Sequence, residues 1–99
     1  PQIWGDPKDP VLNFRPLPPD PNGGLVECNG TGMGFNLWRM KMFKDKKLRR
    51  PWFVTQKDKG GVSTQDLYGW MDFRKHGYRA AIDCSVRVGH YDSKGDIVW

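Results

Sequence analysis

Between Ser63 and His90 the apolar positions change period, and that change predicts a helix followed by strands. Leu67, Trp70, Met71 and Phe73 recur at spacings of three and four, which places them on one face of a helix over about residues 64–76. Ser63 is placed to cap that helix. Asp66, three residues on, can bond back to the cap and face the helix dipole. Gly77 follows His76 and suits a left-handed C-terminal cap, with Tyr78 packing back. Tyr78 to Asp83 is short and apolar enough for a buried strand. Val86 and Val88 then alternate with Arg87 and Gly89 and end at His90. An acid at a helix N-terminus and a histidine after the returning strand are thereby expected close in space.

Upstream, Leu25 to Asn29 reads as a strand and Phe35 to Trp38 as a second. Between them Gly30, Gly32 and Gly34 remove side chains from one face. Two readings of that alternation stand: close approach of a ligand or another backbone, or a bend in a strand. It is not a phosphate-binding loop, because the Gly-Lys-Ser/Thr ending and its helix are absent. Residues 40–47 read as a short helix, with Met40 and Phe43 inward and Lys41, Lys44 and Lys47 outward. Gln56 to Gly61 is charged and glycine-rich, a mobile loop by this reading. The expected fold class is α/β, a small mixed sheet with one main helix and one short one.

Seven of the eight prolines fall in residues 1–22. Proline lacks a ladder donor and restrains its neighbour, so this stretch is an arm rather than a central element. Ile3, Trp4, Val11, Leu12 and Phe14 give it apolar side chains to lay on a surface; the alternative is a disordered tail. The domain reading is a proline-rich arm over 1–22 and a partial domain over 23–99.

Charge adds one feature. The net charge is +5, and Arg39 to Arg50 holds seven basic residues against one acid, Asp45. That segment is either a solvated face or a surface for phosphate groups. Cys28 and Cys84 are too few for a secreted disulfide scaffold and are read as free thiols in a reducing compartment. No run of about 18 apolar residues is present to span a membrane, and a cytoplasmic setting, or the cytoplasmic face of a membrane, is expected. The chain opens on Pro1, so a processed chain or a fragment is expected, and Trp4 and Trp99 near its ends suggest packing against something further.

Two residues are candidates for chemistry. Asp66 is a titratable group on a rigid element, as a general base must be, though a capping acid has the same pattern. His90, at a strand end, is a candidate ligand for a divalent metal. Cys28, His76, Cys84 and His90 lack the close pairs of a structural zinc site, and no Ser-His-Asp or Cys-His set with a supporting motif is present.

The order of these pieces resembles the C-terminal, acceptor-side half of a GT-A fold glycosyltransferase, of the family 2 and polypeptide N-acetylgalactosaminyltransferase-like kind. Gly30-Thr31-Gly32-Met33-Gly34-Phe35-Asn36-Leu37-Trp38-Arg39 is similar to the glycine-rich strand that leads into a short helix in such enzymes. Pro51-Trp52-Phe53 is similar to the aromatic step that follows. Thr64-Gln65-Asp66 stands where they carry Glu-Asp at the start of the acceptor-side helix, and Ala81 to His90 resembles a closing strand pair ending in Gly-His. The likeness covers about residues 23–92.

The resemblance implies that Asp66 deprotonates the acceptor hydroxyl in an inverting transfer. It implies that His90 helps hold a divalent cation, Mn or Mg, on the diphosphate of a sugar nucleotide. Gly32 and Gly34 would let donor and acceptor approach the backbone. Trp38 and Trp52 would offer flat faces to a sugar, and Gln65 replaces an acceptor-contacting Glu. Trp70 shares that potential, although its apolar helix face points to the core. The donor-binding half and its Asp-x-Asp motif are absent, so the chain is expected to be inactive alone, its partners being a sugar nucleotide, a hydroxyl acceptor, and a missing half-domain or further copies of itself. The rival expectation is a non-enzymatic basic module for nucleic acid or an anionic glycan.

Overall fold

The computed structural model describes residues 2–58, 61–89 and 91–98. Its elements run β1 (Ile3–Trp4), β2 (Leu25–Cys28), β3 (Gly30–Thr31), a 3-10 helix (Met40–Lys44), β4 (Gln56–Asp58), β5 (Gly61–Ser63), α1 (Gln65–Lys75), β6 (Ala80–Asp83), β7 (Tyr91–Asp92) and β8 (Ile97–Val98). The chain is a small mixed α/β structure. Its described strand pairs are all antiparallel, β1 with β3, β2 with β6, β4 with β5 and β7 with β8, where a mixed sheet was expected. No helix among the described residues is long and apolar enough to cross a membrane.

α1 forms where the three-and-four spacing places it. Its buried residues are Gly69, Trp70, Asp72 and Phe73, whereas Met71 faces out. Met71 is adjacent to Trp70 and so lies about 100° round the helix, off the buried stripe. The helix ends on Gly77 at φ 84°. The Tyr78 N–H donates to Phe73 O at 3.0 Å and the Gly77 N–H to Arg74 O at 3.1 Å, a Schellman closure. The N-cap is Thr64 rather than Ser63, because the β4–β5 pairing takes up Ser63 and moves the helix start along by one residue. Of the loop expected over 56–61, residues 56–58 and 61 are strand, and residues 59 and 60 lie outside the described residues.

The second helix is shorter than its apolar spacing predicts. Only five residues coil, as a 3-10 turn with no side-chain cap, and Met42 rather than Met40 is buried. So short a segment cannot hold an α-helical face, and the core selects the methionine that reaches it. Phe35 to Trp38 and Val86 to Gly89 form no strands. Both stretches have suitable local composition but find no pairing partner among the described residues.

Met42, Leu48, Trp70 and Phe73 make the core, and Trp38, Phe43 and Phe53 pack around Phe73. Phe73 is 0 % exposed, with its neighbours edge-on, and its burial stabilises the fold by about 1.5–3 kcal/mol. Asp72, also buried, accepts from the Arg49 N–H at 2.9 Å and ties the basic segment to α1.

Residues 2–17 pack as an ordered arm. β1 pairs with β3, Ile3 is buried, and the Leu17 N–H donates to Ile3 O at 2.8 Å. Buried Asn29 joins three segments. Its N–H donates to Trp4 O at 2.9 Å, its amide nitrogen to Asn13 O at 2.9 Å, and its Oδ1 accepts from Arg74 Nε at 3.0 Å. Cys28 and Cys84 are free thiols, the first buried and the second half-buried.

Candidate functional site

Asp66 occupies the first turn of α1, where peptide N–H groups are unpaired and a carboxylate is favoured. Its Oδ1 accepts from the Leu67 N–H at 3.1 Å and from the Thr64 hydroxyl. The Thr64 side chain makes no bond to the helix backbone; it is turned onto Asp66 instead. One carboxylate oxygen is thus tethered, and Oδ2 accepts no bond among the described residues. Gln65, beside it, is exposed, and its Oε1 accepts from the Thr55 hydroxyl at 3.3 Å.

A second locus is an open concavity of about 2530 Å³. Gly32, Gly34 and Trp38 line it together with Trp70. The Trp38 and Trp70 rings stack with centroids 5.3 Å apart and 24° between planes. The glycines differ in what they permit. A Cβ on Gly30 would meet the Trp70 ring at 2.9 Å, so the packed indole accounts for that glycine. A Cβ on Gly34 would meet nothing within 4 Å. For Gly30, then, the close approach is made by the protein's own tryptophan.

The structure gathers Gly32, Gly34 and Trp38 on this concavity. Gln65 and Asp66 stand apart from its lining, at the α1 N-terminus. Trp52 also lies outside the lining. Its ring meets Phe43 edge-on at 5.0 Å and carries the Arg50 guanidinium at 5.3 Å, so it packs in the aromatic cluster rather than offering a face to the concavity. His90, the expected metal ligand, lies outside the described residues, as does Trp99. Among the described residues no three His, Cys, Asp or Glu side chains group as a metal site.

The basic segment divides in two. Arg49 sits 3.5 Å over the Tyr68 ring and bonds to Tyr68 O, and Arg50 donates to Phe43 O at 3.3 Å, so both arginines clamp the fold. Lys41, Lys44, Lys46 and Lys47 are exposed.

Local hydrogen bonds set the electrostatics. The Tyr78 hydroxyl, donating at 2.6 Å, holds the Asp45 carboxyl below its ordinary range, and the same bond pushes the Tyr78 phenol up. Arg79, bonded to Glu27 at 2.7 Å, holds that carboxyl down; the Ser85 hydroxyl does the same to Asp83.

Sequence reasoning missed the exposure of Phe35 and Leu37, which line the concavity with Leu37 fully exposed. Their apolar run after Gly34 carried a signal, but it reads equally well as a strand. The chain matches no protein-family model, no curated protein and no solved structure.

Proposed function

We propose that this chain is the acceptor-side part of a metal-dependent, inverting GT-A-type glycosyltransferase using a sugar nucleotide, inactive until it meets a donor-binding half. The observation carrying the reading is Asp66, a half-buried carboxylate on the first turn of α1 with one oxygen held by Thr64 and Leu67. A general base needs that combination of fixed position and a second oxygen able to take a proton. The order of the motifs around it, from Gly30 through Pro51 and Asp66 to His90, supports the assignment.

In the proposed reaction the acceptor hydroxyl gives its proton to Asp66. The hydroxyl oxygen then bonds to the anomeric carbon as the bond from that carbon to the diphosphate breaks, and the configuration inverts. Trp38 lines the concavity beside Gly32 and Gly34, apart from Asp66, and with Trp70 stacked on it and Phe43 and Phe73 edge-on it would meet a sugar only through the remainder of its ring. A divalent cation, when bound, would stabilise charge on the leaving diphosphate. His90, which lies outside the described residues, would help hold the cation together with the donor-binding half, and no step is routed through it here. A cytoplasmic setting belongs to the same proposal.

Titration of isotope-labelled protein with UDP and manganese tests the reading. Manganese-dependent broadening localised to His90 and the Asp66 helix is the expected result, and its absence overturns a donor site on this chain. One observation favours a basic binding module instead: four exposed lysines within residues 41–47. That reading expects RNA or heparin binding that weakens steeply with salt and is indifferent to Asp66→Ala.

A further inference from the structure

β6 has an open edge. The Cys84 N–H donates to Gly24 O at 3.0 Å, which continues the β2–β6 ladder and fixes its alternation. Ile82 and Ala80 therefore exchange bonds with Val26 and Cys28, while the peptide groups of Ala81 and the N–H of Asp83 point away from β2. No described strand pairs with that side. Exposed edges of this kind are normally shortened, charged or covered.

The edge borders the 2530 Å³ concavity, and so do exposed apolar side chains. Leu37 is 101 % exposed, Phe35 73 %, Val88 58 % and Val86 53 %. Clustered exposure of large apolar groups marks an interaction surface. The outward peptide groups of Ala81 and Asp83 on its border suit the backbone of an extended polypeptide segment.

Charge narrows the choice further. Arg39, Lys41, Lys44 and Arg87 line the same hollow, are exposed, and have no ion-pair partner among the described residues. The acids that share it, Asp20, Asp45 and Asp83, bond to the neutral Asn22 N–H, Tyr78 and Ser85 and keep their charge, but these four cations outnumber them. A second copy of this chain would bring a net +5 and the same cations to the contact.

We propose that this face receives an acidic, strand-forming segment of a different polypeptide. The segment adds to the β6 edge through Ala81 and Asp83, lays alternate apolar side chains over Leu37, Phe35, Val86 and Val88, and places carboxylates against Arg39, Lys41, Lys44 and Arg87. The surface shares its concavity with Trp38 but stands on geometry and charge alone, and the peptide titration tests it apart from the glycosyltransferase reading.

The probes are two capped nine-residue peptides, one alternating valine with glutamate and the other valine with lysine, each titrated into the full chain. The glutamate peptide is expected to slow amide exchange at Ala81 and Asp83 and to bind more weakly as salt rises from about 50 to about 200 mM. Leu37→Asp, at a fully exposed position, is expected to weaken that binding about tenfold while leaving the chain's spectrum dispersed, and Lys41→Glu with Arg87→Glu to remove its salt dependence. Equal binding of both peptides, or binding without protection at Ala81, overturns the proposal. Protection of Ala81 without peptide, rising with protein concentration in step with a sedimenting dimer, also overturns it and assigns the face to a second copy.

Discussion

The Trp70 indole Nε1 donates to the carbonyl oxygen of Thr31 at 2.7 Å, across 39 residues of sequence. This bond fixes α1 against β3 and sets the indole over Gly30. Trp70→Phe keeps an aromatic ring but leaves a buried carbonyl without its donor. The expected cost is about 1–3 kcal/mol, read as a lower urea midpoint with an unchanged slope.

Gly69 and Gly34 test opposite expectations for the same substitution. Alanine in a helix is favoured over glycine by about 1 kcal/mol. At Gly69, however, the new Cβ would meet the Phe53 ring at 2.7 Å, and overpacking of that kind costs about 1–3 kcal/mol. Gly69→Ala is therefore expected to destabilise despite its helix position. Gly34 has free space and no left-handed φ, so Gly34→Ala is expected to be neutral or to stabilise by about 0.4–1 kcal/mol. Thermal midpoints of the two variants decide it.

The pair Asp45 and Tyr78 gives a pH profile with two edges. Asp45 has its carboxyl lowered from 3.8, so its stabilising effect is complete above 3.8 and is lost as pH falls through the lowered value. Tyr78 has its phenol raised from 10.0, so its effect is complete below 10.0 and is lost as pH rises through the raised value. The stability difference between the native chain and Tyr78→Phe should be flat between those limits and shrink outside both. Urea unfolding across pH 3 to 11, an order-of-magnitude window about these values, measures it.

The two thiols should react in sequence. Burial pushes the Cys28 thiol up, away from the thiolate that reacts, and Cys28 is 0 % exposed. Cys84 is half-buried, its sulfur accepting from the Asp20 N–H at 3.4 Å. Alkylation of the folded chain, followed by mass spectrometry, should mark Cys84 first and Cys28 only with global unfolding.

How legible the fold was depends on how local each signal is. α1 could be read because its stripe, its first-turn acid and its glycine stop all lie within 15 residues. The β2–β6 pair was readable as two strands but not as a pair, since its register joins residues more than 50 apart. Phe35–Trp38 has strand composition and forms none, because pairing depends on a partner that composition does not specify. Of the candidate site, Asp66 falls at the helix N-terminus that its position in sequence required. The stacking of Trp38 on Trp70 and the withdrawal of Trp52 into the aromatic cluster depend on packing between distant segments, which no local pattern encodes.

Asn29 gives the proline-rich arm a consequence beyond its own contacts. One buried side chain holds the arm through Asn13, the helix through Arg74 and, by its backbone, β1 through Trp4. Releasing any one of them strands polar groups that the others had satisfied, so the segments are expected to open together. Their slowest amides should then exchange with one shared opening free energy, and a protease that clips the arm should loosen a helix more than 50 residues away.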